Sequence, residues 1–257
     1  MQLRNVVLTG MAAAALITAA APGYFGKWKM DAAKSDFGDT TFTISQTPSG
    51  EMQFSADGQT YTFKIDGKDY PAMFGGTAAW KSTDATTWEV SNKLNGRFLG
   101  TNTFKLSADG KSLTENSKGP KPAGGTYDDT ATYQRMSGTA GLAGKWKTKN
   151  FKSSAPDVME FAAAAADGMT INLSAFQAVC NVKFDGQEYP CTGPTMPPGM
   201  TVALKKSGAN GFEMTEKMGG KALYQSTFTA SADGKTLTEN GRAVATGEKI
   251  KVVYNRQ

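Results

Sequence analysis

The sequence predicts an all-β protein: two tandem antiparallel up-and-down barrels behind a secretory signal peptide. Three observations predict it. They are a duplication that spans the chain, strand-like alternation punctuated by turn residues, and an apolar N-terminal stretch.

The duplication is read from four motifs that return in the same order. Gly26-Lys27-Trp28-Lys29 recurs as Gly144-Lys145-Trp146-Lys147, and Ile65-Asp66-Gly67-Lys68-Asp69-Tyr70-Pro71 as Phe184-Asp185-Gly186-Gln187-Glu188-Tyr189-Pro190. Ser107 to Asn116 returns as Ser231 to Asn240, and Tyr133-Gln134-Arg135 as Tyr254-Asn255-Arg256. The spacing between copies drifts slightly, as loops of varying length on a common framework would make it. A unit of about 115 residues is the size of an independent small domain, far longer than a solenoid repeat. The reading is therefore a signal peptide over 1–20, a first module over 24–138, a linker over 139–143 and a second module over 144–257.

Within a module the pattern is β. Thr41 to Ser45, Tyr61 to Ile65, Thr87 to Val90 and Thr101 to Leu106 alternate or enrich β-branched and aromatic residues. Between them stand Asp57-Gly58, Asp66-Gly67, Asn95-Gly96, Asp109-Gly110, Asp185-Gly186, Gly219-Gly220 and Asp233-Gly234, which supply the positive φ that two-residue hairpins need. About eight strands per copy are expected, closed as a barrel or folded as a sandwich. The alanine-rich stretch inside Ser154 to Asp167 reads as a helix. A two-residue loop at Asp185-Gly186 sets Cys180 opposite Cys191, and in an exported chain such a pair is a structural disulfide. Counting from that loop puts the pair at a hydrogen-bonded position, where Cα atoms stand further apart than in the alternate pair type.

At the N-terminus Arg4 precedes an apolar run from Val6 to Ile17 that ends in small residues, the pattern of a cleaved leader. Its core is too short for a membrane span and no later run is long enough, so the mature chain carries no transmembrane segment. Periplasmic or secreted localisation follows.

With 257 residues, 39% of them hydrophobic, the chain can bury a real core. It has 0 histidines, which excludes imidazole chemistry, and 2 cysteines, too few for a four-ligand zinc site or an iron–sulfur cluster. No metal or cofactor is expected. The net charge of +5 is mild for 257 residues. The lysines of Lys145 to Lys152 alternate with Trp146 as an ordinary strand would, so nucleic acid is not an expected partner. Neither Ser-x-x-Lys nor Gly-x-Ser-x-Gly occurs, and adjacent strand residues such as Asp128 and Asp129 point to opposite faces. The chain reads as non-enzymatic.

Gly-x-Trp at the start of each copy, with an arginine ending each last strand, resembles the lipocalin and fatty-acid-binding (calycin) superfamily. The resemblance implies lipocalin-like barrels in which Trp28 and Trp146 plug one end and Arg135 and Arg256 lie across an indole face, a cation–π contact. It also implies an apolar cavity, although the Arg-x-Tyr order of fatty-acid carriers is here Tyr-x-Arg. Trp88, Val90 and Phe104, with Phe212, Met214 and Phe228, share strand faces that are either core or cavity wall. Two functions follow: a monomeric carrier of a small hydrophobic or amphipathic molecule in one or both barrels, or an envelope interaction module with filled barrels.

Overall fold

The computed structural model describes residues 23–38, 40–121, 124–154, 158–165 and 167–257, so the leader expected over 1–20 lies outside the described residues. The first copy holds β1 (Gly26–Met30), β2 (Thr41–Gln46), β3 (Met52–Ala56), β4 (Gln59–Phe63) and β5 (Tyr70–Pro71). It continues with β6 (Thr77–Asp84), β7 (Thr87–Leu94), β8 (Arg97–Leu106), β9 (Ser112–Pro120) and β10 (Thr126–Ser137). The second copy repeats the series: β11 (Gly144–Lys152), β12 (Val158–Ala164), β13 (Gly168–Leu173), β14 (Ala178–Lys183) and β15 (Tyr189–Thr192). β16 (Met200–Lys206), β17 (Gly211–Met218), β18 (Lys221–Ala230), β19 (Thr236–Ala243) and β20 (Lys249–Arg256) complete it. Every neighbouring pair is antiparallel, and each barrel has ten strands rather than eight.

The two barrels do not coincide with the two copies. β2 to β11 form one ten-stranded sheet, while β12 to β20 close into a barrel only by taking in β1. β1 lies between β12 and β20, with Trp28 opposite Met159 and Arg256; β11 lies between β2 and β10, with Trp146 opposite Phe42 and Arg135. Each copy has thus given its first strand to the other's barrel. This corrects the boundaries 24–138 and 144–257, which kept each indole strand with its own copy. The chain passes from one sheet to the other after β1 and again after β11.

That exchange also explains the alanine-rich stretch, which is β12 and not a helix. Alanine's helix propensity is worth only tenths of a kcal/mol per residue over strand formers, whereas β12 supplies the ladder on both sides for β1 and β13. Phe161 on the same strand is buried in the core. Tertiary pairing overrides the local preference.

Asp57-Gly58, Asn95-Gly96 and Gly219-Gly220 form the expected two-residue hairpins, with positive φ at both positions. Asp66-Gly67 and Asp185-Gly186 do something else. The carboxylates of Asp66 and Asp185 accept the backbone N–H two residues on and the hydroxyl of Tyr70 or Tyr189, while Gly67 and Gly186 donate to Trp80 and Leu204 on a third strand. The turn is wider than predicted, yet the register holds: Cys180 faces Cys191 and is disulfide-bonded to it, at a Cα separation of 4.3 Å. That distance is the one typical of a non-hydrogen-bonded pair.

The same place differs between the barrels. β14 and β15 share only the pairs Val179↔Thr192 and Cys180↔Cys191, and with the disulfide these close the second barrel. In the first barrel β4 and β5 lie side by side but, among the described residues, no ladder joins them, leaving a seam between Tyr61 and Ala72. No helix among the described residues is long and apolar enough to cross a membrane.

Candidate functional site

Each Gly-x-Trp pair has a mechanical reason. The guanidinium carbon of Arg135 lies 4.1 Å from the Trp146 ring centroid, and that of Arg256 lies 4.2 Å from the Trp28 centroid. Both indoles are fully buried, with Nε1 donating to the carbonyl four residues earlier, Tyr24 or Leu142. A Cβ on Gly26 would stand 2.2 Å from Arg256 Nη1 and one on Gly144 2.6 Å from Arg135 Nη1, so only glycine leaves the guanidinium its place. The arginines also tie chain ends together: Arg135 donates to the carbonyls of Gly110, Ala143 and Gly141, and Arg256 to those of Gly234, Phe25 and Gly23.

A cavity of about 1250 Å³, open to solvent, is lined by the inside of the first barrel and by second-barrel residues including Phe176, Gln177, Thr195 and Pro197. Its lining combines two kinds of surface. Phe42 stacks on Phe54 at 5.3 Å, Phe54 on Tyr61 at 5.5 Å, and Trp80 on Phe104 at 5.4 Å, with Trp80 Nε1 donating to the Tyr61 hydroxyl. Beside them, with Glu115 the cross-strand neighbour of Phe104, runs a polar chain: Asn92 Nδ2 donates to Asn102 Oδ1, and Asn102 Nδ2 to Glu115 Oε1. Ser117 also donates to Glu115 Oε1, and the Tyr133 hydroxyl to Glu115 Oε2 at 2.5 Å. Burial holds the Glu115 carboxyl above its ordinary range, these donors offsetting only part of that; burial and the adjacent carboxylate hold Tyr133 well above the usual phenol range, so it stays a donor. Burial pushes the Tyr61 phenol up to about 12.

Phe98, 49% exposed, and Phe176, 44% exposed, stand at the opening, and Phe176 belongs to the second barrel. Five basic side chains also line the cavity: Lys27, Lys29 and Arg97 are exposed, Lys93 and Lys121 half-buried, and Lys93 pairs with Asp69 at 2.6 Å.

The second barrel keeps the chemistry and fills the space. Glu239, Ser226 and Tyr254 repeat Glu115, Asn102 and Tyr133, with Glu239 accepting from both hydroxyls at 2.7 Å. Glu216 replaces Asn92, and burial, with the charge of Glu239, pushes its carboxyl up to about 7. Phe212 stacks on Phe228 at 4.8 Å and Phe161 meets both edge-on, all three fully buried.

Of the residues singled out from the sequence, Val90 and Phe104 line the first cavity, while Trp88 is buried in the core beside it. Phe212 and Phe228 sit in the second core and Met214 packs half-buried against it. Asp128 and Asp129 diverge: the first pairs with Lys118, the second accepts from Ser153 and Ser154. The aromatic wall and the Glu115 network were missed. Their signal lay in the duplicated decapeptide itself, where Glu115 and Glu239 stand two residues after the buried Leu113 and Leu237 and so share their inward face.

A second hollow, of about 780 Å³, lies where β1 and β20 approach β11, lined by Lys29, Asp31, Phe37, Lys149 and Asn255. Its lining mixes polar and apolar side chains. No family model matches the chain, and neither a curated protein nor a solved structure matches it.

Proposed function

We propose that this is an exported, calycin-like, non-enzymatic binding protein whose first barrel carries a small amphipathic molecule. One observation carries the reading: an open cavity of about 1250 Å³ lined by stacked aromatic rings and, beside them, the hydrogen-bonding network around Glu115. A cavity of that size is ample for a small ligand, and convergent polar groups on an apolar surround are what fix a ligand's orientation. The unladdered seam beside Tyr61 supports entry, and the leader-like 1–20 segment together with the disulfide supports an oxidising compartment outside the cytoplasm. The filled-barrel alternative fits the second barrel, where three phenylalanines occupy the centre. Its part is to supply Phe176 to the opening and to hold β1.

The test is titration with N-phenyl-1-naphthylamine, a neutral apolar fluorophore, alongside native mass spectrometry of protein from its own cells. One equivalent taken up, and lost when Val90→Trp fills the cavity, supports carriage. No uptake by the folded protein overturns it.

A further inference from the structure

Resting on that carrier reading, we propose that the cavity selects a cationic amphipath, an organic amine or quaternary ammonium, with Glu115 as its counter-ion. Three features of the cavity converge on this class.

The first is charge. The lining holds the carboxyls of Glu115 and Asp129 and the basic side chains of Lys27, Lys29, Lys93, Arg97 and Lys121. Among the described residues, every group that hydrogen-bonds Glu115 is neutral: the amide of Asn102 and the hydroxyls of Ser117 and Tyr133. Burial disfavours a carboxylate that has donors but no cation beside it, and a bound cation would offset that cost. The basic side chains of the lining do not do so: Lys27, Lys29 and Arg97 are exposed to solvent, and Lys93 is paired with Asp69.

The second feature is the rings beside that carboxyl. Phe104 is the cross-strand neighbour of Glu115 and stacks on Trp80, and Phe42 meets Tyr133 edge-on and stacks on Phe54. The negative face of an aromatic ring attracts an organic cation, so an ammonium held at Glu115 would have rings next to it.

The third is the comparison between copies. Both barrels retain the carboxyl–tyrosine pair, Glu115 with Tyr133 and Glu239 with Tyr254, so the pair alone does not define a site. What the first barrel adds is open space and stacked rings beside it. A fatty acid carboxylate placed beside Glu115 would meet a second negative charge there, and no guanidinium is among the groups that hydrogen-bond Glu115.

The test is displacement of N-phenyl-1-naphthylamine by three ligands of equal chain length, each below its micellar concentration: decyltrimethylammonium, decanol and decanoate. The expected result is displacement by the ammonium at roughly tenfold lower concentration than by either other ligand. Glu115→Gln removes that preference while the fluorophore still binds, and Glu115→Asp, which keeps the charge, retains it. If Glu115→Gln does not fold, the wild-type order and Glu115→Asp decide. Fluorophore binding with decanoate equal to or better than the ammonium, or a preference unchanged in Glu115→Gln, overturns the cationic assignment and leaves carriage standing. No fluorophore binding at all overturns carriage itself.

Discussion

Arg256 lies over Trp28, although one closes the last strand and the other sits in the first. Its counterpart Arg135 lies over Trp146 on the very next strand. The contact is the same and the chain path is not, because the second barrel is completed by the N-terminal strand while the first is a contiguous run from β2 to β11. The closing of the second barrel thus pairs the first strand with the last.

The two arginines are not equally exposed, and their replacement separates them. Arg135 is half-buried and Arg256 exposed. Arg135→Met is expected to cost about 2 kcal/mol through the loss of three charge-assisted hydrogen bonds and a cation–π contact, and Arg256→Met less. Urea unfolding followed by tryptophan fluorescence measures both; equal costs would contradict the difference in burial.

Cutting the disulfide acts on one seam. Cys180→Ser with Cys191→Ser is expected to cost about 3 kcal/mol, since it releases a short loop and leaves β14 and β15 joined by two residue pairs. Hydrogen exchange should rise at β14 and β15 while β4 and β5, already without a ladder, keep their rates. A change confined to the first barrel would refute this account of the seam.

Glu216 predicts a pH dependence with a definite sign. Its carboxyl is held near 7 in the folded protein, by burial first and by Glu239 second, against an ordinary value of 4.5. Folded protein keeps the proton after unfolded chain has lost it, so stability declines as pH rises from about 4.5 to 7 and levels off above. The loss is on the order of 2–3 kcal/mol, reduced by the residual solvent contact of the side chain. Glu216→Gln should flatten that slope in chemical denaturation; an unchanged slope would place the titration elsewhere.

Much of the fold was legible in the sequence because period-two alternation and Asp-Gly or Asn-Gly turns are local. The register of Cys180 with Cys191 came through even though the Asp185 turn proved wider, since both ends of the turn widened together. What was not legible is which sheet each Gly-x-Trp strand joins. β1 and β11 are near-identical in sequence, so each fits either barrel, and only the path of the connections decides. Phe161 illustrates the same limit: within an alanine run it looks helical, and pairing with Gly26 makes it a strand. Val90 and Phe104, singled out by alternation as core or cavity wall, line the cavity, whereas Glu115 was hidden by its duplication, which made it look like part of a turn motif.

Strand exchange is the central claim, and paired cysteine substitutions in the full chain test it most directly. Lys29 stands opposite Asn255, whereas an unexchanged barrel would set it opposite Gln134, the neighbour that Lys147 has in β10. Lys29→Cys with Asn255→Cys is predicted to form an intrachain disulfide, mapped by peptide mass spectrometry in monomeric protein, and Lys29→Cys with Gln134→Cys is predicted not to. An intrachain cross-link in the Lys29→Cys, Gln134→Cys variant, or one found only between chains in the Lys29→Cys, Asn255→Cys variant, would contradict the exchange within one molecule.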